Sequence, residues 1–424
     1  MPSLENNSQK RAAILVVGGG IAGLTCAIEA AEAGRPVVLV EKSAYLGGHV
    51  AGFHRYFPKL CPPPCGLEIN TRRLRNNPNI EILTLAELES LSGSPGNYEA
   101  VVKIAPRYVK ESCTLCGQCE PVCPVEVPDS FNYGITKTRA IHRPHATAFP
   151  LQYRIDRNAC AAGCHLCADT CKFQAIDLDQ GATKRTLRVA SVVLATGWEP
   201  YDAAKIDNLG FGRFPNVVTN AMLERMAASD GPTRGKILRP SDGKPPASVA
   251  FVQCAGSRDR NHLPYCSGVC CTASLKQATY IREQYPQAKI TLFYIDLRTP
   301  GNLEDFAAKT VAANDIELIK GKPGKVEQYA DTGNLLVTAE DILKGQKATR
   351  EFDLVVLAVG MVPQSGGLPV NLLTDEFGFV SNGQPGMYPA GCLKRPADVA
   401  ASIRDATGAA LKAMRNMPIG AGHE

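Results

Sequence analysis

Nowhere does this chain collect the roughly eighteen consecutive apolar residues that a membrane-spanning helix needs. Its polar start gives way to an apolar run over residues 13–17 that is too short for a signal peptide. No block of like charge stands behind the net charge of +5. Short basic runs such as Arg72-Arg73-Leu74-Arg75 and Lys320-Gly321-Lys322 read as solvated surface, so no nucleic-acid partner is expected. With no export signal, the sixteen cysteines are expected in a reducing compartment, which disfavours a disulfide framework and favours metal or redox use. The hydrophobic fraction of 45% and charged fraction of 21% are those of a soluble globular protein, and 424 residues exceed what one core usually supports. Two or three domains are expected.

Twelve of the cysteines fall into three sets of four. Cys113, Cys116, Cys119 and Cys123-Pro124 carry the C-x2-C-x2-C-x3-C-P spacing of a ferredoxin. Cys160, Cys164, Cys167 and Cys171 follow the same plan with two departures: three residues separate Cys160 from Cys164, and Lys172 replaces the proline. In two-cluster ferredoxins the fourth cysteine of each run binds the other cluster. The spacing therefore predicts one 4Fe-4S cluster on Cys113, Cys116, Cys119 and Cys171, and a second on Cys123, Cys160, Cys164 and Cys167. A pair of zinc ribbons is the alternative, and it matches the spacing less well. Such clusters pass single electrons, which makes the chain part of a redox relay. Residues 106–182 read as an inserted module too small to fold on apolar burial alone, with metal–ligand bonds supplying the difference.

The first sixty residues predict a β-α-β unit: a strand over 12–17, the loop Gly18-Gly19-Gly20-Ile21-Ala22-Gly23, a helix over 21–33, and a strand over 36–40 ending at Glu41. A lone G-x-G-x-x-G says little, but this one stands between a strand and a helix with an acid about twenty residues on, the context of a dinucleotide site. Gly18 serves the tight turn, Gly20 lets backbone amides approach a pyrophosphate, Gly23 allows close helix–strand packing, and Glu41 would bond ribose hydroxyls.

A second α/β unit begins with a strand over 248–252, a helix over 274–285 and strands over 289–295 and 353–358. Where a nicotinamide-binding reductase would carry its glycine loop, this chain has Cys254 and the single Gly256. Without close-approaching amides a pyrophosphate has no docking site there, so no NAD(P)H site is expected. Cys254, Cys266, Cys270 and Cys271 form the third set, which the spacing leaves open between a metal cluster and buried thiols. Of the remaining cysteines, Cys26 reads as a core residue. Cys61 and Cys65 bracket three prolines in a stiff loop, readable as a redox pair near a flavin or as rigid thiols outside any cluster. Cys392 follows Gly391 where an acid is common in flavoproteins of this fold, and reads as near the cofactor without a catalytic role.

Taken together, the Gly18 loop, Gly47-Gly48, the block over residues 251–257 and that over 265–276 resemble the A subunits of heterodisulfide reductases across nearly the whole chain. Within that group, the stretches over residues 57–70 and 94–98 look closest to the A subunits of quinone-interacting membrane-bound oxidoreductases. The chain ends at residue 424, and the further carboxy-terminal ferredoxin domains of longer subunits are not expected. The resemblance implies an α/β, thioredoxin-reductase-like fold of two nucleotide domains with the ferredoxin-like insert. FAD-binding segments are expected over 1–105, 183–245 and 366–424, and a degenerate NAD(P)-type domain over 246–365. It implies FAD contacts from Gly18, Gly20, Ile21, Ala22, Gly23, Glu41, Lys42, Gly47, Gly48, Thr196, Gly197, Gly391 and Cys392. It implies a third, unusual 4Fe-4S cluster on Cys254, Cys266, Cys270 and Cys271 close to the flavin. Lys276 occupies the position where such subunits place a lysine near the flavin N5, although alone it reads as a solvated helix lysine. The implied partners are a haem b membrane subunit and a larger flavin and iron–sulfur subunit, with adenylylsulfate reductase as redox client. The expected location is the cytoplasmic face of the membrane, reached through those partners. The function so implied is electron transfer between quinone and sulfur metabolism; a heterodisulfide reductase-type subunit that splits electron pairs is the alternative.

Overall fold

The computed structural model describes residues 12–57, 60–381 and 384–417. Pro58 and Lys59 of the 57–70 stretch, and residues 1–11 of the polar start, lie outside it. The chain divides into two units, Met1–Trp198 with Pro363–Glu424, and Glu199–Val362.

In the first unit, β1 (Ala13–Val17), α1 (Ile21–Glu32) and β2 (Val37–Glu41) form the expected β-α-β. Helix α2 (Pro63–Arg75) and strands β3 (Ile80–Thr84), β4 (Ala86–Ser94) and β5 (Asn97–Ile104) follow, and β6 (Thr183–Leu194) returns after the insert. The sheet order is β3-β2-β1-β6-β5-β4. Alternation along the strands feeds two cores: Ile14, Val16, Val37 and Leu39 face α1 and the helix Val399–Arg415, while Leu15, Val17, Val38 and Val40 face the β4–β5 side. β6 is long because it has two jobs. Its first half pairs antiparallel with β5, and its second half runs parallel to β1 and to the strand Met387–Pro389.

Thr183 pairs with Ile104, so the two ends of the insert meet across one ladder and the module leaves and rejoins the sheet without breaking it. The insert has a small core of its own around Val109, Ile141, Tyr153 and Ile155, to which Cys123 and Cys167 belong.

The second unit contains β7 (Val217–Thr219), α3 (Asn220–Ala227), β8 (Ser248–Ala255), α4 (Cys270–Gln284), β9 (Lys289–Tyr294), α5 (Leu303–Ala313), β10 (Ile316–Lys320) and β11 (Leu354–Val359). Its sheet is parallel throughout, in the order β7-β11-β8-β9-β10. The strands read as continuous apolar runs because both faces are covered. On one face Val252, Val355 and Leu357 pack against Val326, Leu335 and Val337 of an antiparallel sheet.

One boundary differs from expectation. Residues 199–245 fall outside the flavin domain to which the sequence assigns them, because β7 pairs with β11 through Val217 and Val355, and this ladder places the segment in the second unit.

Candidate flavin and iron-sulfur sites

The loop between β1 and α1 is shaped by contacts that only glycine tolerates. A Cβ on Gly23 would stand 1.8 Å from the Gly18 carbonyl oxygen, and one on Gly18, whose φ is +108°, would stand 2.3 Å from the Ala195 carbonyl oxygen. Gly20 caps α1 without a side-chain acceptor, which leaves the first helical amides to a ligand. Ile21 and Ala22 form the first turn. Gly47 and Gly48 pack onto this loop: the Gly47 amide donates to the Gly19 carbonyl at 2.8 Å, and a Cβ on Gly48 would lie 2.9 Å from the Gly20 Cα. Gly391 arrives from the other side, where a Cβ would lie 2.8 Å from that of Ala22. Thr196 donates through Oγ1 to the Gln364 carbonyl at 2.6 Å, and next to it Gly197 has open space where a side chain would stand.

Glu41 is buried, its Oε2 accepting from the Gly19 amide at 2.6 Å and its Oε1 from the Ser43 amide at 2.7 Å. It thus braces the glycine loop and retains acceptor capacity for ribose hydroxyls. Lys42 beside it is exposed. Asp405, which sequence reasoning missed, accepts the Gly391 amide at 2.9 Å and Lys394 Nζ at 2.9 Å; nothing in the local sequence marks it among the residues of an amphipathic helix. Cys392 is buried and donates to the Ala397 carbonyl, five residues on, at 3.4 Å. Cys26 is fully buried, its thiol on the Ala406 carbonyl at 3.1 Å, as a core residue should be.

In the insert, a partly open pocket is lined by Cys113, Cys116, Cys119 and Cys171, with Ile141 and Tyr153 among its apolar walls. The fourth cysteine of the second run thus joins three of the first. Burial, and then the neighbouring Cys113, Cys167 and Cys116 thiols, push the Cys119 thiol up to about 12. Cys167 is likewise raised by burial first and then by Cys160, Cys123 and Cys164. Crowded buried thiols that oppose one another's ionisation are relieved by a polynuclear cation. The Cys171 sulfur accepts the Ala175 amide at 3.4 Å. Positive φ at Gly117 and Gly163 makes the turns within each run.

The third set gathers at the carboxyl end of β8. The β8–β11 register shifts between Val252 and Ala255, and Cys254 adopts φ +56°. Such an irregularity re-aims a side chain. Cys270 and Cys271 open α4, four residues earlier than the expected helix start, and Cys266 accepts the Gly268 amide at 3.3 Å. The Cys270 thiol is pushed up by burial and then by Cys271, Cys254 and Cys266, so charge on each of the three is felt at its sulfur. Among the described residues no group of three or more His, Cys, Asp or Glu is close enough to hold one metal ion; a four-iron cluster binds each thiolate to a different iron and needs a wider spacing.

Two residues differ from their plain reading. Lys276 is buried on α4, its Nζ 2.9 Å from Glu224 Oε1 on α3; Glu224, 52 positions away, carried no sequence signal. Cys61 and Cys65 do not both lie in a loop, because α2 begins at Pro63 and Cys65 falls in its first turn.

A family model described as FAD dependent oxidoreductase matches residues 13–59, and one described as 4Fe-4S binding domain matches residues 106–129. Solved structures similar to this one include thioredoxin reductase from T. acidophilum, with a TM-score of 0.53 at 14% identity over 95% of this chain and 97% of that one. Thioredoxin reductase from Lactococcus lactis has a TM-score of 0.51 at 13% identity over 96% and 99%. Fold and sites define an FAD and iron–sulfur oxidoreductase on a thioredoxin-reductase-like scaffold. Curated relatives narrow the class. The A subunit of the H(2):CoB-CoM heterodisulfide,ferredoxin reductase of Methanothermobacter marburgensis is 36% identical over 94% of this chain and 63% of its own length. The A subunit of the ferredoxin:CoB-CoM heterodisulfide reductase of Methanosarcina mazei is 37% identical over 96% and 53%. The iron–sulfur A subunit of the CoB–CoM heterodisulfide reductase of Methanocaldococcus jannaschii is 37% identical over 93% and 63%. The chain is a flavoprotein like the A subunits of heterodisulfide reductases, and it spans between half and two thirds of the length of these relatives.

Proposed function

We propose that this chain is the electron-transfer subunit of a heterodisulfide reductase-type assembly, with one FAD in the first unit and three 4Fe-4S clusters on the three cysteine sets. The observation that carries the reading is the pocket joining Cys171 to Cys113, Cys116 and Cys119, the crossed grouping of a two-cluster ferredoxin. FAD when bound supplies the exchange between one- and two-electron chemistry, so the protein needs no nucleophile of its own. The residues assigned to hold it are the glycines of the α1 loop, Gly47, Gly48, Gly391 and Glu41, with Thr196 and Gly197 along its length. Cys254 stands where β8 would lead into a glycine loop, which supports the loss of an NAD(P)H site.

The Methanothermobacter marburgensis relative, whose name gives hydrogen as donor and both a heterodisulfide and ferredoxin as acceptors, supports division of electron pairs between two acceptors. The quinone-linked reading, with a larger flavin and iron–sulfur subunit, a haem b membrane subunit, and adenylylsulfate reductase as client, rests on the 57–70 and 94–98 stretches. The relatives favour the heterodisulfide reductase type. No helix among the described residues is long and apolar enough to cross a membrane, and in the quinone-linked reading attachment to the cytoplasmic face runs through partners. Affinity capture from native cells decides between the two. Companion subunits of heterodisulfide reductase type are expected; recovery of a haem b membrane subunit in their place would overturn the proposal.

A further inference from the structure

Cys61 and Cys65 belong to none of the three cysteine sets, and unlike Cys26 and Cys392 they are not buried: Cys65 is exposed and Cys61 partly so. Several contacts bring the pair to one place. Tyr56 and Cys61 form an antiparallel bridge, the Tyr56 amide donating to the Cys61 carbonyl at 3.1 Å and the Leu60 amide to the Tyr56 carbonyl at 2.9 Å. The Tyr56 hydroxyl in turn rests on the first turn of α2, 3.0 Å from where a Cβ on Gly66 would stand. Tyr56 thus touches the chain at Cys61 and again just after Cys65. The phenol is raised by burial first and then by Cys61 and Cys65, in keeping with both thiols lying near Tyr56.

The connecting segment is built to close. Pro62, Pro63 and Pro64 fix three consecutive φ angles, so bringing the ends together costs little chain entropy. Pro62 is the N-cap of α2 and Pro63 its first residue, which puts Cys61 just before the cap and Cys65 at the third helical position.

We propose that Cys61 and Cys65 form a thiol–disulfide exchange site whose co-substrate is a low-molecular-weight disulfide. Exposed Cys65, as thiolate, attacks one sulfur of the incoming disulfide, and the other sulfur leaves and takes up a proton. Cys61 then gives up its proton and displaces the second sulfur, closing the Cys61–Cys65 bond. The pair loses two electrons and two protons, and the incoming disulfide becomes two thiols, so no other oxidant is required. The inference stands on this segment alone and does not depend on the cluster assignments.

Trypsin cleavage after Lys59 and Arg72 yields a peptide whose cysteines are Cys61 and Cys65 alone. The purified full chain is equilibrated anaerobically with mixtures of reduced and oxidised glutathione, quenched in acid, alkylated, digested and weighed. The peptide is expected to pass in one step from doubly alkylated to internally bonded, and Cys61→Ser to accumulate roughly tenfold more glutathione adduct on Cys65 than the natural chain does. Two alkylated thiols at every ratio, or separate glutathione adducts on each cysteine of the natural chain, would overturn the proposal. Should Cys61→Ser fail to fold, the peptide masses of the natural chain and of Cys65→Ser give the same decision.

Discussion

Lys276 and Glu224 face each other across α3 and α4 with Nζ and Oε1 2.9 Å apart and side chains only 5% and 4% exposed. Gln277 donates to the same carboxylate oxygen at 2.8 Å, and the Tyr280 hydroxyl lies 3.4 Å from the other. Such a pair adds little net stability over apolar residues, but removing one partner leaves the other charge buried alone. Glu224→Leu is expected to cost about 3–5 kcal/mol, and Lys276→Met a similar amount. The double variant Glu224→Leu/Lys276→Met should cost clearly less than the sum, as read from urea unfolding of the second unit's signal.

Gly23→Ala is expected to destabilise the first unit by about 3 kcal/mol and to abolish flavin retention. The added carbon would lie 1.8 Å from the Gly18 carbonyl oxygen, and backbone cannot step aside as a side-chain tip can. Flavin content and the thermal midpoint measure both effects.

In the proposed crossed grouping of the insert, Cys171 and Cys123 each serve the cluster of the other run. Cys171→Ser should perturb the cluster of Cys113, Cys116 and Cys119, whereas Cys123→Ser should perturb that of Cys160, Cys164 and Cys167. Each should lose about four irons. Loss of the same spectroscopic cluster in both variants would contradict the crossing.

His142, packed in the insert with Nδ1 2.8 Å from the Arg139 carbonyl oxygen, has its pKa lowered by burial first and then by the Arg154 charge. The unfolded chain therefore binds the proton more readily than the folded one. The insert's stability from this group is complete above the ordinary histidine value of about 6.5 and declines as pH falls below it, levelling off beneath the folded pKa. Thermal unfolding followed by iron–sulfur absorption should show this slope in the natural chain and a shallower one in His142→Asn.

Elements whose period and caps agree were legible in the sequence: β1, α1, β2 and β9 fall within a residue or two of expectation. In the insert, cysteine spacing alone supplies the proposed ligand sets. What stayed hidden depends on contacts between distant residues. The unit boundary near Trp198 is set by the Val217–Val355 ladder, and the burial of Lys276 by a carboxylate on another helix. Locally, a lysine on an α-helix has no mark that separates a solvated site from a paired one. The prolines of the 61–65 segment suggest a loop, yet proline is at home in a first helical turn, and α2 starts there.

We propose that the second nucleotide-fold unit holds iron where a reductase would hold a nicotinamide. The decisive measurement is iron and flavin analysis of the anaerobically purified chain and of Cys254→Ser. About twelve irons and one FAD are expected in the natural chain, and about eight irons with the FAD retained in the variant. Equal iron in the two proteins, together with NADPH bound to the second unit, would contradict it.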